Sequence, residues 1–208
     1  MIGIIDYGMG NILSVKNAFE YLGADVTICT RAEELEDAER LVLPGVGSFG
    51  DCMSNLRNRG FIDALDRAVK KQRKPILGIC LGMQMMASKG YESGEFAGLG
   101  WFDAEVVRLT PAEKRLRIPH VGWNNLSFTG KSFLFDGIPA NPDVYFVHSY
   151  YMKCNDKSNI IAEFDYAGRF TAAVGKENIV ATQFHPEKSQ DYGMRMLRNF
   201  IAWKPTGC

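Results

Sequence analysis

Neither sign of charge is in excess in this sequence: 24 Lys and Arg stand against 24 Asp and Glu, and no run of like charge exceeds a few positions. A dedicated polyanion-binding surface needs a basic surplus, so no nucleic-acid partner is expected. No apolar run approaches the roughly 18 residues that a membrane span requires. The apolar opening meets an acid at Asp6 with no basic segment before it, so no membrane association is expected either. Cysteine is sparse and odd in number, at positions 29, 52, 80, 154 and 208, with no Cys-x-x-Cys pair. That scatter speaks against a disulfide framework or a zinc knuckle and points to a reducing, cytoplasmic compartment. Histidine is scarcer still, with three in the chain and none in a cluster of metal-ligand spacing, so no metal is expected. Nucleotide cofactors have no motif: there is no G-x-G-x-x-G, and the glycines at 45 and 47 lack the Lys-Ser/Thr of a P-loop.

What is present is an ordinary globular composition, 46% hydrophobic and 23% charged over 208 residues, enough for one domain spanning 1–208. The first half alternates apolar runs with helix-period segments. Strands are predicted at 2–6, 25–30, 40–43 and 75–79. Helices are predicted at 12–22, capped by Asn11, at 51–72 with a break near Gly60, and at 81–88; residues 32–39 read as a polar helix or turn. Such alternation implies right-handed crossovers and a parallel sheet covered on both faces. The second half is β-like at 101–109, 144–152, 159–164, 169–175 and 178–184, which suggests an antiparallel extension, and a last helix is predicted at 191–203. The fold expected is therefore α/β, with a mostly parallel central sheet, flanking helices and an antiparallel C-terminal extension. Residues 89–98 and 110–117 read as flexible loops.

Chemistry concentrates at three places. Gly78-Ile79-Cys80-Leu81-Gly82 joins a predicted strand to a helix with the G-x-nucleophile-x-G spacing of a nucleophile elbow. The turn would lift the thiol to a helix N-terminus, where the dipole favours the thiolate, and would leave the Leu81 amide free for an oxyanion. A lone cysteine is otherwise a small buried hydrophobe. In Gln183-Phe184-His185-Pro186-Glu187-Lys188, Pro186 pushes His185 towards an extended backbone. Residues two apart on extended chain share a side, so His185 and Glu187 converge as base and orienting acid. The bland reading of the same residues is a surface turn. Pro44-Gly45-Val46-Gly47-Ser48 ends another strand and suits either backbone amides turned to a ligand or a simple tight turn. An α/β-hydrolase is disfavoured: that family orders nucleophile, acid, histidine, whereas here the acid follows the histidine.

Taken in order, DYGMGN (6–11), LPGVGSFG (43–50), GICLGMQ (78–84), PHVGWN (119–124), YFVHSYY (145–151) and FHPEKS (184–189) resemble the class I, triad-type glutamine amidotransferases. Within them they resemble the glutaminase subunits of imidazole glycerol phosphate synthases, along essentially the whole chain. The resemblance implies hydrolysis of L-glutamine through a thioester, with Cys80 as nucleophile, His185 as acid–base and Glu187 as its partner. It implies an oxyanion hole from Leu81, Val46 and Gly47, and substrate contacts from Gly45, Gln84, Ser149 and Tyr150. It further implies ammonia passed to a (β/α)8-barrel cyclase subunit in a heterodimer for histidine biosynthesis, with Asn11, Trp123 and Lys188 on the docking face. A paralogous glutaminase feeding a synthase of surface polysaccharide sugars carries the same chemistry, and a degenerate scaffold subunit would have lost part of it. By the same resemblance His120 and His148 are structural or substrate-loop residues rather than second bases.

Overall fold

The computed structural model describes residues 1–113 and 115–205, so Lys114 of the 110–117 segment and Cys208 lie outside the described residues. The first half follows the predicted alternation: β1 (Ile2–Ile5), α1 (Ile12–Tyr21), β2 (Val26–Cys29), a 3-10 turn at Ala32–Leu35, β3 (Arg40–Gly45), α2 (Phe49–Asn58) and α3 (Phe61–Asp66). Gly60 breaks the predicted helix in the left-handed region at φ 72°, where it costs nothing sterically. A π turn at Arg67–Lys71 then leads to β4 (Ile76–Cys80) and α4 (Leu81–Met85). After these come β5 (Ala87–Gly90), β6 (Phe96–Ala97), β7 (Phe102–Arg108) and β8 (His120–Phe128). The chain ends with β9 (Asp143–His148), β10 (Tyr150–Cys154), β11 (Ile160–Asp165), β12 (Arg169–Lys176), β13 (Ile179–Thr182) and α5 (Gln190–Ala202).

Nine strands form the central sheet in the order β2-β1-β3-β4-β13-β12-β11-β8-β9. β2, β1, β3, β4 and β13 pair in parallel, and from β13 outwards every pairing is antiparallel. The parallel strands β1, β4 and β13 are buried along their whole length, as strands covered on both faces must be. One face packs Val15, Phe19, Leu197 and Phe200 of α1 and α5 against the sheet. The other packs Phe49, Leu56, Phe61 and Leu65 of α2 and α3. On that second face lies a smaller sheet, β10-β7-β5-β6, which the hydrophobic pattern does not announce.

Four local expectations are corrected. Residues 81–88 are not one helix: α4 closes after five residues and 87–90 pairs with β7 instead. The single strand read at 144–152 divides at Ser149 into β9 and β10, which belong to different sheets. Residues 89–98, read as a loop, contain part of β5 and all of β6. The nine-residue β8 has no counterpart among the predicted strands, because its Gly122 and paired Asn124 and Asn125 are poor strand formers and only cross-strand pairing holds them.

Candidate active site

β3, β4 and β13 are adjacent and parallel, so their carboxyl ends open on one crevice, the usual ligand position in such sheets. Gly45 stands opposite Cys80 in register, and Thr182 opposite Ile79. Cys80 ends β4 at φ 55°, ψ −110°, a positive φ that a non-glycine residue adopts at a cost of about 1–3 kcal/mol. Backbone packed on backbone sustains it. A Cβ on Gly82 would lie 1.8 Å from the Leu43 carbonyl oxygen, and one on Gly45 would lie 2.9 Å from the Gly82 amide nitrogen. Gly45 therefore packs against the elbow and is not among the residues that line the cavity.

His185 has the extended backbone that Pro186 dictates, at φ −99°, ψ 96°, but Pro186–Lys188 then forms a 3-10 turn. The turn, rather than the alternation of an extended chain, brings Glu187 back to the ring. Nδ1 of His185 lies 2.8 Å from Oε1 of Glu187, with both side chains almost wholly buried. Ser189 fastens this turn to β9: its hydroxyl donates to the His185 carbonyl at 2.6 Å and accepts from the Tyr145 amide at 3.0 Å. Burial by itself would pull the imidazole down. The neighbouring Cys80 sulfur and the Glu187 carboxylate outweigh it and raise His185 to about 10. Its Nε2 is buried with no hydrogen-bond partner, so the edge that faces the sulfur is the one left for a reacting proton.

A cavity of about 320 Å³ opens over these residues. Of the predicted site, Cys80, His185, Leu81, Val46, Gly47, Gln84, Ser149 and Tyr150 all line it. Gln84 contributes less than its position suggests, because its Nε2 already donates to the Tyr150 carbonyl at 2.9 Å and to Gln183 Oε1 at 3.0 Å. Only its Oε1 remains for a ligand. Three lining residues were not foreseen, Glu92, Pro119 and Val147, and His148, expected as a structural or substrate-loop residue, also lines the cavity. Glu92 lies in the segment read as a flexible loop, and its Oε2 accepts from the Phe49 amide at 2.8 Å, which fixes a carboxylate at the cavity. No local pattern separates that acid from its neighbour Glu95. Asn11, Trp123 and Lys188 lie outside the cavity. Asn11 stands at the N-cap position of α1 without a side-chain capping bond, so it does not cap the helix as expected. Trp123 and Lys188 are exposed.

His120 and His148 form a buried pair, Nδ1 to Nε2 at 3.1 Å, in a nest with Phe146 and Phe164. Burial pushes both down to about 4, so each is neutral at pH 7 and neither is a competent base. Unfolded, they would protonate near 6.5. Between about 6.5 and 4 the unfolded chain binds more protons, so this contribution to stability, on the order of 2–3 kcal/mol per imidazole, drains away as pH falls. His185 acts in the opposite sense: raised to about 10, it contributes most below about 6.5 and loses that contribution as pH rises towards 10. Urea midpoints are expected to peak near neutrality and to fall on both sides. His120→Phe, which keeps the aromatic packing, should flatten the acid limb; an acid limb unchanged in that variant would contradict the assignment.

Across residues 3–203 the sequence matches the family described as glutamine amidotransferase class-I. It is 49% identical over 201 residues to imidazole glycerol phosphate synthase subunit HisH 1 of Campylobacter jejuni strain RM1221, covering 97% of this chain and 99% of that one. It is 46% identical to subunit HisH 2 of the same synthase from Methanococcus maripaludis, covering 97% and 98%. Among solved structures, one described as a glutamine amidotransferase superposes with a TM-score of 0.76 at 21% identity, covering 97% of each chain. PurLQS from Thermotoga maritima superposes with a TM-score of 0.76 at 16% identity over 97% of each. Both likenesses speak for the fold alone.

Proposed function

The chain belongs to the class I glutamine amidotransferase family, and from that premise we propose that Cys80, His185 and Glu187 carry out its hydrolysis of glutamine as a triad. It is the glutaminase subunit of an imidazole glycerol phosphate synthase, and the ammonia it releases serves histidine biosynthesis. The observation that carries the residue assignment is the position of His185: Nδ1 bound to Glu187 at 2.8 Å, with Nε2 unpartnered towards the Cys80 sulfur.

Glutamine enters the cavity with its ammonium towards the Glu92 carboxylate and the Oε1 of Gln84. The thiolate attacks the side-chain amide carbon, and the Leu81 amide with the Val46–Gly47 loop receives the oxyanion. His185, protonated at rest, gives its proton to the departing nitrogen, and ammonia leaves behind a thioester. The imidazole, now neutral, takes a proton from water as it attacks the thioester; glutamate departs and the thiolate–imidazolium pair is restored. Water is consumed once and ammonia released once per glutamine. Glu187 holds the ring and balances its charge throughout.

The partner is a (β/α)8-barrel cyclase, and the docking surface is the exposed face of β8 and β9. Val121 and Val147 are opposite each other in register, Trp123 is opposite Tyr145, and Val121, Val147 and Trp123 are all exposed. An apolar ribbon of this kind continuous with a catalytic cavity fits an interface better than a solvated surface. Val147 belongs to both, since it also lines the cavity. Asn11, whose side chain caps nothing, and exposed Lys188 are assigned as polar contacts to the same partner. No helix among the described residues is long and apolar enough to cross a membrane. A thiol nucleophile suits a reducing cytoplasm.

The test is glutamine hydrolysis by this chain alone and with the cyclase of its own organism and that enzyme's ribonucleotide ligand. Stimulation of at least about tenfold, equivalent to roughly 1.4 kcal/mol, is expected. Turnover indifferent to the cyclase would sink the partner assignment and leave the glutaminase chemistry standing.

A further inference from the structure

The geometry points to Gln183 as a further catalytic residue, whose side-chain amide donates a hydrogen bond to the Cys80 sulfur and steadies it as the thiolate. The inference rests on Cys80 being the nucleophile. Gln183 is fully buried, two positions before His185 in the turn that leaves β13, and its Nε2 lies 3.8 Å from the sulfur. A buried side-chain amide aimed at a nucleophile is either an accident of core packing or a part of the chemistry. The hydrogen-bond network decides between them, because it leaves the amide one orientation.

The orientation is set by a backbone carbonyl, which can only accept. Tyr150 O takes a hydrogen bond from Gln84 at 2.9 Å, so the group that Gln84 presents there must be its NH2. The same nitrogen lies 3.0 Å from the Gln183 side chain, so Gln183 must answer with its oxygen. Its own NH2 then faces Cys80, and turning either amide over would set two acceptors or two donors against each other. A second restraint reaches the same carbonyl: His148 Nδ1 lies 2.9 Å from Tyr150 O and its Nε2 lies 3.1 Å from His120 Nδ1. One neutral tautomer satisfies both contacts, with the Tyr150 carbonyl accepting from His148 and His148 accepting from His120. Both branches thus end as donors on the Tyr150 carbonyl, and from Gln84 the network continues through Gln183 to the sulfur.

Its place beside the sulfur matches what the reaction asks of that atom. The neutral thiol has an acceptor of its own, the Val147 carbonyl at 4.0 Å. That carbonyl offers nothing to a thiolate, whereas the Gln183 N–H does. Charge on sulfur is greatest at rest and again when the thiolate leaves the thioester, and least while the acyl group is attached. A donor to sulfur thus favours deprotonation before attack and expulsion of the thiolate in the second half-reaction. Bond making and breaking are those already described; Gln183 gives up no proton.

Gln183→Met keeps the volume and removes the donor. Its kcat is expected to fall about tenfold, the effect of losing one hydrogen bond to a charged group, with KM little changed. Alkylation of Cys80 by iodoacetamide, which needs neither glutamine nor the cyclase, should slow near neutrality, with its pH profile displaced to higher pH. Gln183→Glu puts an acceptor where the donor stood and should lose more activity than the Met variant. A packing role alone would leave the alkylation profile in place, and an unmoved profile in a folded Gln183→Met protein overturns the inference. If neither variant folds, the wild type decides: the Gln183 side-chain amide resonance must shift when Cys80 is alkylated, and one that does not overturns it equally. Turnover surviving in Cys80→Ala would show instead that the nucleophile assignment itself is wrong.

Discussion

Cys80→Ala is expected to lower glutamine hydrolysis by about 10⁴-fold or more while leaving the protein folded. Removing the nucleophile of a triad generally costs as much as removing the whole set, because base and orienting acid then act on nothing. What remains is the oxyanion hole, the binding cavity and a His185 that can at best direct water at the bound amide. Structural loss should be small, because Cys80 is buried at 7% exposure and truncating one sulfur there costs on the order of 1 kcal/mol. Chemical modification gives an independent check. Burial pushes the thiols of Cys29, Cys52 and Cys154 up to about 11, so none of them competes for iodoacetamide at neutral pH. In a Cys208→Ser background, one equivalent of label should enter, on Cys80, and abolish turnover in step with its incorporation. Quenched turnover mixtures should show an acyl adduct on the wild type and none on the variant. An alanine variant within tenfold of the wild-type kcat would end the thioester mechanism.

The reach of the sequence depended on how local each feature is. Cys80, Leu81 and Gly82 lie within one turn of chain, and the glycine spacing that makes an elbow sterically possible is written beside the nucleophile. His185 and Glu187 are two residues apart, so their meeting needed no knowledge of the fold, although the 3-10 turn at Pro186–Lys188 achieves it where extended chain was expected. The βαβ alternation announces the parallel strands of the first half, but not β13: residues 178–184 were expected in the antiparallel extension, and only its parallel pairing with β4 brings β13 to the crevice beside β3. Glu92 and Gln183 behave differently. Glu92 becomes a cavity residue only because the amide at the start of α2 captures it from 43 positions away. Gln183 acquires a direction only through Gln84 and Tyr150, which belong to α4 and β10. β8 was missed for the same reason: its residues disfavour a strand, and its partners β9 and β11 lie beyond any local window.

Gly82→Ala is the substitution expected to cost most outside the triad, about 4 kcal/mol or more of folding stability. Gly82 is the second residue of α4, where an added methyl would ordinarily stabilise a helix by about 0.5–1 kcal/mol relative to glycine. Here the sign reverses, because that methyl would stand 1.8 Å from the Leu43 carbonyl oxygen and 2.8 Å from its carbon, in the middle of the sheet. β3 cannot retreat: it is paired on its other side with β1, and its own end carries the Val46–Gly47 loop of the oxyanion hole. α4 cannot move away without carrying Leu81 and Cys80 with it, which breaks the register of nucleophile, oxyanion donor and His185. Gly23→Ala is the control, since Gly23 has φ +78° with nothing within 4 Å. It carries the backbone penalty alone, about 1 kcal/mol, and should leave turnover intact. Urea denaturation of the two variants beside the wild type measures the difference. Any folded fraction of Gly82→Ala should alkylate slowly at Cys80 and hydrolyse glutamine at least about 10²-fold more slowly, the usual consequence of displacing a reacting group by an ångström. A Gly82→Ala protein as stable and active as Gly23→Ala would mean that the close approach of elbow to β3 does not hold the nucleophile in place.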